Sequence, residues 1–303
     1  MKFSIPYIVI VLSATCGNLF CQDRSTEYQL KTYTTEHGLP HNVIYNISRD
    51  STGFLWLATW DGLSRFDGNE FKNYRHDPDD PNSLPFFIPS KVVTDRLNNV
   101  WILTNSRPVY VYDRAADNFR PGLEGFYQDA RASDLTSDKS GNIWIALDSV
   151  LLRYDPATGE PDALRVIKDS LMISGMRFEF PHITFDNRGN LWYSLTGDSE
   201  IEFYNGIISG DTVFLRFAGL LSLQGFESLP LRTGKLYPEI YVSDSGISWL
   251  SCRYGIFWCD TVTGKFVSGD MIDKGQIEEL PFLMWFEEKA GIKIRKPGEG
   301  HLV

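Results

Sequence analysis

The 303-residue sequence is short of positive charge: 29 Lys and Arg stand against 39 Asp and Glu, a net charge of −10, and no polybasic run occurs. A nucleic-acid partner needs a basic face, so the composition argues against one. There is no apolar stretch of the roughly 20 residues that a helix needs to span a bilayer, so no membrane span is expected after the N-terminal leader. Neither Gly-x-Ser-x-Gly nor a phosphate-binding glycine loop is present, which removes the usual signatures of a nucleophile elbow and a nucleotide cradle. Cysteines number four and histidines five. Cys252 and Cys259 flank a turn at Arg253 to Gly255, which places Cys252 opposite Phe257 and Cys259 opposite Leu250. Such diagonal neighbours lie about 7 to 8 Å apart, beyond the Cα reach of about 4.4 to 6.8 Å for a disulfide, so two free thiols are expected. His37 and His41 have helical spacing, but Gly38 and Pro40 between them forbid the helix that would bring both onto a metal. No metal and no cofactor are expected.

Lys2, an apolar run from Ile5 to Leu12 and small residues through Gly17 precede the first charged pair, Asp23 and Arg24. That is the shape of a secretory signal peptide, assigned to residues 1–21 with cleavage between Gly17 and Gln22. Export to the periplasm follows as an expectation. Cys16 and Cys21 raise a lipid anchor, but the residues ahead of each fit a lipoprotein cleavage box badly.

What the chain has is a repeat. Asp50, Gly53, Trp56, Thr59, Gly62, Phe66 and Asp67 return as Asp95, Asn98, Trp101, Thr104, Tyr112 and Asp113, then as Asp138, Gly141, Trp144, Leu147, Tyr154 and Asp155. Asp186, Gly189, Trp192 and Leu195 make a fourth copy, and Asp244, Gly246, Trp249, Cys252, Trp258 and Asp260 a fifth. A degenerate sixth places Glu288, Gly291 and Ile294 on the positions of Asp50, Gly53 and Trp56. Neighbouring anchors are separated by 45, 43, 48, 57 and 45 residues, and periods of about 40 to 50 belong to radial or solenoid arrays.

Within a copy the apolar residues alternate with a period near two and are rich in β-formers, as in Phe54 to Thr59, so each copy is built of strands. Asp-x-x-Gly marks one tight turn and Asp61-Gly62 a second. The unit is therefore four antiparallel strands, Val43 to Arg49, Phe54 to Thr59, Leu63 to Phe66 and Phe71 to Tyr74, which is a propeller blade. The fold class is all-β, a propeller over residues 28–303 with five full blades and part of a sixth. The tryptophans are assigned to packing between blades. The repeated Asp does not suit calcium, which wants about six to eight converging oxygens. Tyr28 to Tyr33 reads as the outer strand of a blade whose inner strands come from elsewhere, which leaves two plans open: a six-bladed ring closed beside Trp285 to Val303, or an open arc of a seven-bladed one. Arg75 to Ser90 is a Pro-rich, acidic and solvated loop. The long spacing before Trp249 puts an insertion in Asn205 to Leu236, whose apolar stretch Val213 to Leu221 should pack.

Glu36-His37-Gly38-Leu39-Pro40-His41-Asn42 ahead of a strand, the Asp50 to Asp67 pattern and the loop Arg75-His76-Asp77-Pro78-Asp79-Asp80-Pro81-Asn82-Ser83-Leu84 together resemble the two-component regulator propeller repeat. The resemblance runs over about residues 28 to 303. It implies seven-bladed propellers in the periplasmic sensor of hybrid histidine kinases, mostly of Bacteroidetes, that respond to polysaccharide breakdown products. Those kinases carry more repeats, a β-sandwich domain, a membrane span and a kinase core. None follows Val303, so phosphotransfer is not expected of this chain, which reads as a truncated or split sensor or a freestanding propeller.

Strand order puts the connections between blades and the turns between second and third strands on one face. The candidate ligand-binding residues there are His41, Asn42, Trp60, Asp61, Asn105, Arg107, Asp148, Asp198, Arg253 and Tyr254. Aromatic, amide, carboxylate and guanidinium groups suit an oligosaccharide. Two alternatives stay open: a module that binds another propeller or sensor chain, or a non-functional fragment of a split sensor gene, with exposed edge strands; and a propeller lyase or glycosidase using Asp61 and Asp148 as a carboxylate pair.

Overall fold

The computed structural model describes residues 31–80, 83–85, 88–105, 109–122, 132–147, 150–168, 179–196, 200–222, 239–242, 248–252, 255–260 and 265–268. The leader, Cys16, Cys21, Asp244, Gly246, the sixth copy at Ile294 and the stretch Trp285 to Val303 lie outside the described residues. The chain divides into two compact units, Met1–Thr32 and Tyr33–Val303. Of the first only Lys31 and Thr32 are described, and neither is in a strand. The described strands all belong to the second.

Among the described residues, five four-stranded antiparallel units follow one another. The first is β1 (Ile44–Arg49), β2 (Leu55–Thr59), β3 (Gly62–Phe66) and β4 (Phe71–Tyr74); the second is β5 (Pro89–Thr94), β6 (Val100–Thr104), β7 (Val109–Asp113) and β8 (Asn118–Pro121). The third is β9 (Asp134–Ser137), β10 (Ile143–Ala146), β11 (Val150–Asp155) and β12 (Glu160–Lys168). The fourth is β13 (Glu179–Phe185), β14 (Leu191–Thr196), β15 (Glu200–Ser209) and β16 (Thr212–Ser222), and the fifth is β17 (Glu239–Val242), β18 (Ser248–Cys252), β19 (Gly255–Asp260) and β20 (Lys265–Ser268).

The repeated tryptophan and aspartate form one device. Each Asp stands at the turn between first and second strands, where one carboxylate oxygen of Asp95 accepts the N–H groups of Leu97 and Asn99. The other oxygen accepts the indole N–H six residues on: Asp50 from Trp56 at 3.0 Å, Asp95 from Trp101 at 3.0 Å, Asp138 from Trp144 at 2.9 Å and Asp186 from Trp192 at 2.9 Å. An indole can be buried cheaply only if its N–H finds an acceptor. So satisfied, each ring enters the core it shares with the next unit. Trp56 packs with Val92, Val100, Ile102 and Tyr112; Trp101 with Leu135, Ile143 and Ile145; Trp144 with Ile183, Leu191 and Tyr193; Trp192 with Ile240, Leu250 and Phe257. The cores thus lie between neighbouring sheets. Burial alone would raise the Asp50 pKa, but hydrogen bonds from Thr52, Trp56, Arg114 and the Phe54 N–H outweigh it and hold the carboxyl at about 2.

Inner strands are fastened side to side by polar groups. Asn46 accepts from the Val92 N–H at 2.9 Å, Asp134 from the Ile183 N–H at 2.9 Å and Asn187 from the Val242 N–H at 2.8 Å. Asp134 also pairs with Lys91 at 2.9 Å, and His182 Nδ1 is 3.6 Å away, all three groups being buried. Burial would push the Asp134 carboxyl up, yet the charge of Lys91 and the neighbouring His182 overcome it and hold it well below the usual carboxylate range.

Three expectations are corrected, those for Tyr33, for the Arg75 to Ser90 connection and for the cysteine register, while the Val213 to Leu221 stretch packs as expected. Tyr33 is not in a strand: Thr34 caps the short 3₁₀ turn Thr35–His37, and the Tyr33 ring instead sits 4.9 Å from that of Phe66 and 5.6 Å from that of Phe71. The Arg75 to Ser90 connection is not merely solvated, because Leu84 is buried in the core between the first two units. The fourth unit's outer strand does more than close a hairpin: β16 pairs in parallel with β12 over Thr212 to Leu215 and with β20 at Leu220 and Leu221, joining three units into a 12-stranded sheet. The Val213 to Leu221 stretch packs through one face, with Val213, Leu215 and Leu221 buried, while Phe214 on the other face is 45% exposed. Finally, β18 and β19 join through two residues rather than three, so Cys252 faces Gly255 and Leu250 faces Phe257. That shift sets Cys252 and Cys259 about 13 Å apart along the strands, and the Cys259 thiol is buried, donating to the Ala218 carbonyl.

Candidate functional site

The turn that carries the site is dictated by the two residues that close it. Thr59 pairs with Gly62 across β2 and β3, and its hydroxyl donates to the Gly62 carbonyl at 2.7 Å while accepting the Asp61 N–H at 3.3 Å. Gly62 has φ 99°, and a Cβ there would stand 2.3 Å from the Tyr74 carbonyl oxygen. Only glycine serves at that point. The two residues left at the tip, Trp60 and Asp61, are thrown outward. The Trp60 backbone N–H donates to Val43 O at 3.1 Å, which ties the tip to the segment entering β1, while the residue stays 43% exposed.

Around that indole the chain assembles a pocket of about 410 Å³, lined by His41, Trp60, Asp61, Gly62, Arg75, His76 and Ile88. His41 and Tyr45 flank the ring with centroids at 6.4 and 6.3 Å. Asp61 Oδ2 accepts from Arg75 Nε at 2.8 Å, with both side chains half exposed. His76 donates from Nδ1 to the Leu84 carbonyl at 2.7 Å, and the Leu84 N–H returns to Arg75 O at 3.2 Å. Since Leu84 is anchored in the core, its loop holds Arg75 and His76 against the tip rather than leaving them to solvent. His41 Nδ1 accepts the Val43 N–H at 2.9 Å; in the neutral ring the proton is therefore on Nε2.

Of the ten candidates read from sequence, the structure brings His41, Trp60 and Asp61 together. Asn42 serves the backbone instead, its amide oxygen accepting the Thr35 N–H at 2.9 Å. Asn105 donates its N–H to Ile88 O at 3.0 Å, next to the pocket but not in its lining. Arg107, Asp148, Asp198, Arg253 and Tyr254 lie outside the described residues, so the Asp61 and Asp148 pairing has no described geometry. Arg75 and His76 were missed as site residues, although the stretch that carries them was singled out for its family resemblance. Among the described residues no group of three or more His, Cys, Asp or Glu is placed to hold a metal ion, and no helix is long and apolar enough to cross a membrane.

Comparison with known proteins points one way. Residues 38–61, which run through His41 to the tip at Trp60 and Asp61, match the family described as two component regulator propeller. Histidine kinase P4 of Formosa agariphila is 36% identical over 78 residues, a stretch that covers 26% of this chain and 6% of the kinase. Among solved structures, the extracellular domain assigned to a hybrid two component system (BT3049) of B. thetaiotaomicron superposes with a TM-score of 0.53 at 19% identity, over 78% of this chain and 31% of that one. The chain thus spans a small part of the length of these relatives, and the structural likeness speaks for the propeller fold alone. A virginiamycin B lyase of Staphylococcus aureus is also similar, at 14% identity and a TM-score of 0.44 over 71% of this chain and 64% of that one, a level that carries no argument about activity.

Proposed function

We propose that this chain, which carries a two-component regulator propeller repeat on a propeller fold, is the ligand-sensing part of a two-component system, acts outside the cytoplasm and performs no catalysis itself. The ligand is a saccharide, held at the pocket beneath Trp60. The observation that carries this reading is the pocket's make-up: an exposed indole at a tight turn, with a carboxylate, a guanidinium and two imidazoles around it. A sugar ring stacks its CH face on such an indole while the polar groups take its hydroxyls. The turn is held by hydrogen bonds at both ends, so the indole is presented with little ordering left to be done on binding. Signal transfer would pass to a kinase elsewhere in the system, and export would rest on the leader at residues 1–21.

Calorimetry of the wild-type chain against a panel of neutral and acidic oligosaccharides tests the proposal. Saccharide binding weakened at least tenfold by Trp60→Ala is the expected result. No binding to any member by folded protein defeats it.

One observation favours a second reading, a docking module for another propeller or sensor chain. The position that pairs with the residue after each anchor tryptophan is Ile47, Val92, Leu135, Ile183 and Ile240 in successive units. The last four are buried, whereas Ile47 is 38% exposed. Its neighbours Val43 and Ile44 are exposed too, so the first unit offers an apolar inner edge where a further sheet fits. Light scattering that gives the same monomeric mass for wild type and Ile47→Asp, with and without candidate sensor chains, would remove this reading.

A further inference from the structure

The geometry points to a pocket that selects neutral pyranosides over uronates and sulfated sugars, an inference that rests on the saccharide reading above and narrows it. Charge sets the preference. Arg75 is the guanidinium in the lining, and its Nε is spent on Asp61 at 2.8 Å. The pair is neutral as a unit, and the chain around it carries a net charge of −10. A carboxylate or sulfate offers acceptors only. The Nη1 and Nη2 fork of Arg75 stays open, but an acid gripped there in the two-pronged way that guanidinium favours would share the one cation with Asp61 and stand near that carboxylate. Like charges so placed repel, and among the described residues the lining holds no lysine or second arginine to offset the cost.

A hydroxyl has no such conflict, because it donates and accepts at once. It can accept from the remaining Arg75 N–H groups or from His41, whose Nδ1 is occupied by the Val43 N–H so that Nε2–H is the donor in the neutral ring. It can also donate its own proton to the Asp61 carboxylate. Two adjacent hydroxyls of one ring would thereby satisfy both members of the ion pair without parting them. The apolar component is Trp60, 43% exposed, whose face takes the CH side of the same ring. At about 410 Å³ the pocket sits near the lower end of small-ligand sites, about 300 to 1,000 Å³, which suits the end of a short saccharide rather than a long segment of polymer.

The test uses the full chain and matched probes that differ only at C6: gluco-, galacto- and manno-configured di- and trisaccharides, each beside its uronate counterpart, together with sulfated forms. Calorimetry is run at neutral pH on wild type, Asp61→Asn and Arg75→Gln, with near-UV circular dichroism confirming that each variant is folded. The neutral member of any pair that binds is expected to bind wild type at least tenfold more tightly than its acidic counterpart. Asp61→Asn, which leaves Arg75 with its charge uncompensated, is expected to shrink that preference at least tenfold or to reverse it. Arg75→Gln is expected to weaken neutral sugars without raising the acidic ones. Wild type that prefers uronates or sulfated sugars, or an Asp61→Asn variant with an unchanged ratio, would overturn the inference and leave the saccharide reading standing. Failure of every probe on folded protein would remove both.

Discussion

Replacing Asp95 by Ala removes four hydrogen bonds at once, those from the Trp101 indole at 3.0 Å, the Asn99 side-chain amide at 2.8 Å, and the N–H groups of Leu97 and Asn99 at 3.0 and 2.8 Å. They do not count equally. Trp101 is almost wholly buried, so its N–H cannot turn to water, and an orphaned buried donor costs about 1–3 kcal/mol. The turn groups lie nearer the surface and can be rehydrated, which limits their share to about 0.5–1.5 kcal/mol. The sum is a loss of about 2–4 kcal/mol, a large fraction of the roughly 5–15 kcal/mol that holds a typical domain together. Urea denaturation followed by far-UV circular dichroism reads it. A double-mutant cycle with Trp101→Phe isolates the indole bond, since that change removes the donor itself and on its own costs about 1–3 kcal/mol of packing. In the Asp95→Ala background the second change no longer breaks a bond and relieves an orphan. The two losses should therefore fall short of additivity by about 1–2 kcal/mol. Additive losses, or an Asp95→Ala variant within about 0.5 kcal/mol of wild type, would refute the claim that the carboxylate is what lets the tryptophan be buried.

Two further predictions concern buried charge. Asp134→Ala leaves the Lys91 ammonium inside the fold without its carboxylate, so urea denaturation should show a loss of about 3–5 kcal/mol, largely recovered in the Lys91→Met, Asp134→Leu double variant; a loss below about 1 kcal/mol would contradict the pairing. The Asp50 carboxyl is held at about 2 against an ordinary value of 3.8. A folded value below the unfolded one contributes stability that is present above pH 3.8 and is lost as pH falls from there toward 2. Asp50→Asn should accordingly be less stable than wild type at pH 7, with the gap in melting temperature closing across that acid window; a gap independent of pH would count against the assignment.

Much of this was legible because it repeats. The tryptophan anchors, the Asp-x-x-Gly turns and the short turn at Asp61-Gly62 each recur with a period, and periodic apolar patterning is local information. The partnership of Asp with Trp was open to view as well, since the two stand six residues apart in four copies, yet turn chemistry alone marks the carboxylate only as a turn former. What the sequence hid depends on distant segments. Parallel pairing of β16 with β12 and β20 joins outer strands of different units, and no local pattern marks it. The pocket was half legible: Trp60 and Asp61 follow from the turn and His41 from the chain entering β1, but Arg75 and His76 reach it only because Leu84, eight residues beyond His76, is buried between two sheets. A Pro-rich acidic segment disguises that anchor. Tyr33 could have been placed by the Thr34 to His37 capping signal, and the cysteine register by allowing a two-residue turn.

A ligand held at the first unit's tip must touch the exposed indole, and tryptophan fluorescence reports that contact directly. Titrating wild type and Trp60→Phe with the saccharide that binds most tightly should give a saturable change in emission for wild type that is abolished or greatly reduced in the variant, while both proteins keep the same far-UV spectrum. An equal change in both would place the ligand elsewhere and contradict the assignment of the site.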